Sequence, residues 1–154
     1  MKLSKNFEDK EFFCPCKNCK KDKFPDPKLL ILLQELRDEI KKPIYITTGG
    51  GIRCKTYNKL IGGYVDSPHL KCKAADIRTD NFDYVKLAKI AKEVGFSRIG
   101  LYPFSNSKFI HVDIIEPYPN QSWVRDKNGR YFYYKTLELA LRGLEVSNIN
   151  VDTL

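Results

Sequence analysis

The chain has 154 residues, 42% hydrophobic and 30% charged, the balance of one soluble globular domain large enough to bury a core. No apolar run reaches the ~18–20 residues of a membrane span, and the stretch from Met1 to Glu8 carries no apolar segment of a secretory signal. A net charge of +8 suits polyanionic partners or simple solubility, but the lysines are scattered and no nucleic-acid-reading motif accompanies them, so no specific nucleic acid is expected.

Residues 1–25 read as irregular, with Phe7, Phe12 and Phe13 available to dock on a core. Cys14, Cys16 and Cys19 cluster here, while Cys54 and Cys72 stand alone; five cysteines cannot all pair. Free thiols or one disulfide is the preferred reading. A second zinc held by the cluster and Cys54 is the weaker one, because no second C-x-x-C follows. Asp26-Pro27 is a helix start, an N-cap followed by proline at the first helical position. The helix runs to Ile40 and stops before Pro43, with Leu29, Leu33, Leu36 and Ile40 as its core stripe. Ile44–Thr47 reads as a buried strand. Gly49-Gly50-Gly51 marks a sharp turn, and without a following G-K-[ST] it is not a phosphate loop. A short helix over Lys55–Leu60 and the pair Gly62-Gly63 come next.

A second helix is expected over Phe82–Val94, capped by Asp80 or Asn81 and ended by Gly95. Arg98–Tyr102 and Phe109–Ile115 read as neighbouring strands. Asp126-Lys127-Asn128-Gly129 is a hairpin turn before the aromatic run Tyr131–Tyr134, and a helix over Thr136–Glu145 closes the chain. The sum is a single α+β domain over 1–154, a small, mostly antiparallel sheet flanked by helices, with a C-terminal hairpin and helix in 123–154.

The chain's only two histidines lie in chemically suggestive segments. His69 precedes Asp76, which opens the apparent strand Asp76-Ile77-Arg78. His111 sits in an alternating run that places it and Asp113 on one strand face, with Ile110, Val112 and Ile114 on the other. The apolar face meets the core and leaves the polar face for a cleft. Two imidazoles and a carboxylate (His69, His111 and Asp76) form the ligand set of an open zinc site.

Ser67, His69, Ala74 and Asp76 fit the S-x-H-x-x-G-x-A-x-D pattern of the zinc D-Ala-D-Ala carboxypeptidase/endopeptidase family, peptidase family M15 and its relatives. Ile46–Cys54 resembles that family's I-T-S-G-Y-R-C segment, and Tyr57–Gly63 its bridge to the zinc motif. The resemblance covers about Phe12 to Trp123. It implies a hedgehog/DD-peptidase-like fold, Zn2+ on His69, Asp76 and His111, and a peptidoglycan peptide as substrate. It also implies that Arg53 lies near the site and holds a substrate carboxylate, and that Ser67 either binds substrate or caps its loop. Many relatives place an acid or histidine shortly before the second histidine; here Lys108 and Phe109 stand there. Asp113 is therefore the named general base, with orientation of a ligand imidazole as its other reading and Glu116 as a fallback. Two further departures are Cys72 at the motif glycine and Gly51-Ile52 in place of Gly-Tyr. A monomeric phage-type lysin, virion-borne or released on host lysis, is the setting expected. A non-catalytic wall-binding or virion structural protein on the same fold is the alternative.

Overall fold

The computed structural model describes residues 1–116 and 121–152, the side chains of 147–152 excepted. These residues form one open six-stranded sheet in the order β1-β2-β4-β3-β5-β6. The strands are β1 (Tyr45–Ile46), β2 (Ala74–Arg78), β3 (Arg98–Tyr102), β4 (Phe109–Asp113), β5 (Ser122–Arg125) and β6 (Tyr131–Tyr134). Neighbours run antiparallel except β3 and β5, which are parallel. The helices are α1 (Pro27–Ile40), α2 (Lys55–Leu60), α3 (Tyr84–Val94) and α4 (Leu137–Asp152). This is the expected α+β domain with a mostly antiparallel sheet.

Strand alternation divides the sheet into two faces. Ala75, Ile77, Ile99, Leu101, Ile110, Val112 and Val124 enter the core, where Leu29, Leu33 and Leu36 of α1 and Leu87, Ala88 and Ala91 of α3 cover them. Burying each large aliphatic side chain contributes ~1.5–3 kcal/mol, so the core fixes which residues the strands leave on the opposite face. There the register lines up one row: Asp76 opposite His111, His111 opposite Gly100, Gly100 opposite Trp123, and Trp123 opposite Tyr133. A one-residue slip in any strand would turn its member of the row inward.

Local signals set most boundaries. The Asp26 carboxylate accepts from Lys28 N at 2.9 Å, Pro27 fills the first helical position, and Lys41 ends α1 in the left-handed region. The helix expected over Phe82–Val94 starts at Tyr84, because its cap is Asp83, which accepts from both Val85 N and Lys86 N. Neither Asp80 nor Asn81 is the cap. The buried strand expected over Ile44–Thr47 is a two-residue edge strand whose Tyr45 is exposed, since only β2 borders it. Thr136 caps α4 by accepting from Leu139 N, and the helix continues beyond Glu145. The N-terminal segment is more ordered than expected. Phe7 and Phe12 are buried, a 3-10 turn spans Asp9–Phe12, and Phe12 O accepts from Ile52 N at 2.8 Å.

Candidate metal centre

His69 belongs to a 3-10 turn, Pro68–Lys71, whose N-cap is Ser67; the Ser67 hydroxyl accepts from His69 N at 3.3 Å. Ser67 is 4% exposed, so of its two expected roles its geometry serves the cap. The turn ends on Cys72 at φ +61, left-handed backbone that costs a side-chain-bearing residue roughly 1–2 kcal/mol. The preceding loop holds the site through its carbonyls. Gly49 O accepts from Arg53 Nε at 2.7 Å, Gly50 O from Asp76 N at 2.8 Å, and Gly51 O from His69 Nδ1 at 2.8 Å. This approach needs a residue without Cβ at position 51, where an added Cβ would stand 2.7 Å from the Phe12 backbone.

The three expected ligands converge. His69 Nε2 lies 3.3 Å and His111 Nδ1 3.1 Å from the same oxygen, Asp76 Oδ1. One ligand atom from each of His69, Asp76 and His111 falls within 4.8 Å of the others, and all three residues are buried. Each residue's remaining polar atom is held from behind. Gly51 O fixes the His69 proton on Nδ1 and turns the Nε2 lone pair to the centre. Asp113 Oδ2, 2.7 Å from His111 Nε2, does the same for the Nδ1 lone pair. Arg53 Nη2 meets Asp76 Oδ2 at 3.3 Å. Two neutral nitrogens, one carboxylate oxygen and outer partners on all three are the donor set that fits zinc with a position left open.

Asp113, the expected general base, is enclosed by other partners. It is 0% exposed. Its oxygens are taken by His111 Nε2, by Arg98 Nε and Nη2 at 2.8–3.2 Å, and by Ile115 N. It sits on His111 Nε2, the ring nitrogen turned away from Asp76. Cross-strand register explains the pair with Arg98, since Arg98 faces Asp113 directly in β3–β4. Glu116 turns an oxygen to Ser97 Oγ at 3.5 Å.

The peptidase M15 family model matches residues 5–113, more than two thirds of the chain. The chain belongs to the peptidase M15 family. No curated protein sequence matches it significantly. M15 membership agrees with the donor set, since the family is zinc-dependent in general.

The M15 match ends at Asp113, yet β5 and β6 beyond it complete the surroundings of the centre. Trp123 stands 4.9 Å from His111 between ring centroids, and its Nε1 donates to Tyr102 Oη at 3.0 Å. Gly100 makes this possible, because a Cβ there would overlap the Trp123 indole. Tyr102 stacks on Phe109 at 4.4 Å and meets Tyr131 edge-on at 6.2 Å. Burial, with the Asp76 charge adding, pushes the Tyr102 phenol far above its ordinary value, so it remains a donor. Trp123, Tyr102, Arg98 and the three glycine carbonyls are the site residues that sequence reasoning misses. Only the period-2 placement of Arg98 and Tyr102 on His111's side of the sheet signals any of them in advance.

Proposed function

We propose that this M15 chain is a zinc-dependent peptidase that hydrolyses D-amino-acid-containing peptides of peptidoglycan, as a carboxypeptidase or an endopeptidase. The observation that carries the reading is the convergence of His69 Nε2, His111 Nδ1 and Asp76 Oδ1, each held from behind by a separate partner. Zinc bound there supplies Lewis acidity, which acidifies a water and polarises the scissile carbonyl. The chain's own residues do the rest. Asp113 and Gly51 O keep the two imidazoles in the tautomers that offer lone pairs. Arg53 orients Asp76 and has N–H groups left over from its bonds to Gly49 O, Asn58 Oδ1 and Asp76, which would receive a substrate carboxylate. Ser67 holds the His69 turn. Trp123, Tyr102 and Tyr131 form an aromatic wall beside His111, with the Tyr102 hydroxyl kept as a hydrogen-bond donor. A monomeric lysin of phage type, carried by a virion or freed on host lysis, fits the +8 charge, which favours an anionic wall polymer.

The test is release of products from purified muropeptides by zinc-loaded protein, with and without chelator, beside His69→Ala. Cleavage that stops on chelation and is absent in His69→Ala is expected. A zinc-loaded protein that binds muropeptides without cleaving them would establish the wall-binding alternative. That alternative draws on one observation: of the two carboxylates touching His111, Asp76 is a ligand and Asp113 is buried behind it, so neither is a free base.

A further inference from the structure

A second group of donors lies outside this centre. Cys14, Cys19 and Cys54 bring their Sγ atoms within 4.8 Å of one another. Cys16 is tied into the same group through its carbonyl, which accepts from the Cys19 thiol at 3.6 Å. None of these four is in a disulfide. Cys54 N–H points to Cys14 Sγ at 3.4 Å and Tyr57 N–H to Cys54 Sγ at 3.3 Å. The Lys21 ammonium donates to Cys19 Sγ at 3.0 Å and also to Cys16 O.

We propose that Cys14, Cys16, Cys19 and Cys54 form a second, structural zinc site. Four sulfurs around one zinc at ~2.3 Å stand ~3.8 Å apart. That is a small contraction for Cys14, Cys19 and Cys54, and Cys16, two residues from Cys14, would turn in as the fourth and close the coordination sphere. A disulfide would use two of these thiols and leave the other two without a task. Four thiolates on one divalent cation leave about two negative charges in excess; Lys17, Lys20, Lys21 and Lys23 lie in the same stretch of chain to offset them. The proposal takes up the weaker of the two sequence readings in place of free thiols or a disulfide. The missing second C-x-x-C is replaced by Cys54, which the fold brings in from the Gly49–Arg53 loop. The site has a clear mechanical effect. It pins the N-terminal segment, already bonded through Phe12 O to Ile52 N, onto the residue after Arg53 and near Gly51, whose carbonyl orients His69. It stands independently of the peptidase reading.

Metal analysis of protein purified without added zinc should find two equivalents. Cys19→Ser and Cys54→Ser should each retain one, His69→Ala one, and Cys72→Ser both. Cobalt substitution makes the test independent of whether a cysteine variant folds. Thiolate-to-cobalt charge transfer in the near ultraviolet can come only from the cysteine site, so it should appear in the wild-type protein and in His69→Ala. Its absence from both overturns the proposal. So does thiol titration of unfolded, chelated, unreduced protein that counts fewer than the five cysteines of the chain, since that reveals a disulfide.

Discussion

His111 is gripped at both ring nitrogens, by Asp76 at 3.1 Å on Nδ1 and by Asp113 at 2.7 Å on Nε2. Burial alone would disfavour the imidazolium, but the hydrogen bonds and charges of Asp113 and Asp76 outweigh it and raise the His111 pKa to about 9. Burial likewise works against the Asp113 carboxylate, and His111 and Arg98 outweigh it to hold that pKa below the usual range. In the metal-free protein, then, a proton occupies the nitrogen that a metal would take. The folded pKa lies above the unfolded value of ~6.5, so this stabilisation is fully present below ~6.5 and is lost as pH rises through about 9. Denaturant midpoints of metal-free protein should fall between pH 6.5 and 9, and His111→Asn should flatten that slope; an unchanged slope in the variant would assign it to other groups. By the same linkage, zinc uptake at pH 7.5 should release about one proton from this centre. Asp113→Asn replaces the anionic acceptor that fixes the His111 tautomer with a neutral amide. Zinc affinity should drop ~10–100-fold, with the rate recovering in excess zinc. A rate that stays low at full zinc occupancy would return Asp113 to the chemistry.

At the scale of elements, the strand row from Asp76 to Tyr133 depends on one missing Cβ. Gly100→Ala must push the Trp123 indole away from His111, at a cost typical of overpacking, ~1–3 kcal/mol. Trp123 is the only tryptophan in the chain, so its fluorescence reads the displacement directly. The variant should shift in emission and lose stability in denaturant; an unaltered spectrum would mean the indole is not seated there. The same elements show what a sequence discloses. Helix α1 was legible because Asp26-Pro27 is a local signal and nothing competes with it. The start of α3 was not, because Asp80, Asn81 and Asp83 all offer capping side chains and only the folded chain selects Asp83. His69, Asp76 and His111 were legible from motif and alternation. That alternation also put Asp113 on the face of His111, but a periodicity cannot say whether a carboxylate lies in front of an imidazole or behind it. Trp123 was out of reach, since its place beside His111 rests on the parallel pairing of β3 with β5, a contact between strands distant in sequence.

On the scale of the whole molecule, zinc at the proposed centre would couple metal to fold. The His69–Asp76–His111 centre joins β2, β4 and the turn before β2, so zinc held there would favour the folded chain over the unfolded one. At a free concentration ~100-fold above its dissociation constant, it stabilises by ~2.7 kcal/mol. For a domain of this size that is a rise of roughly 5–10 °C in Tm. Scanning calorimetry across a zinc titration should show this component in the wild-type protein and lose it in His69→Ala. A zinc-independent Tm would show that the centre takes no metal.

The pairing of β5 with β3 has one more consequence. The metal donors all come from residues up to His111, while the wall beside them is largely carried by a hairpin that follows and is tied in along a single strand. On the proposed peptidase reading, reaction and selectivity would therefore reside in separable lengths of chain. Replacing 122–134 with a hairpin of equal length and a different aromatic pattern would change which peptides are admitted while the metal chemistry stays in place, so a lineage or a designer could retarget this scaffold without touching its histidines.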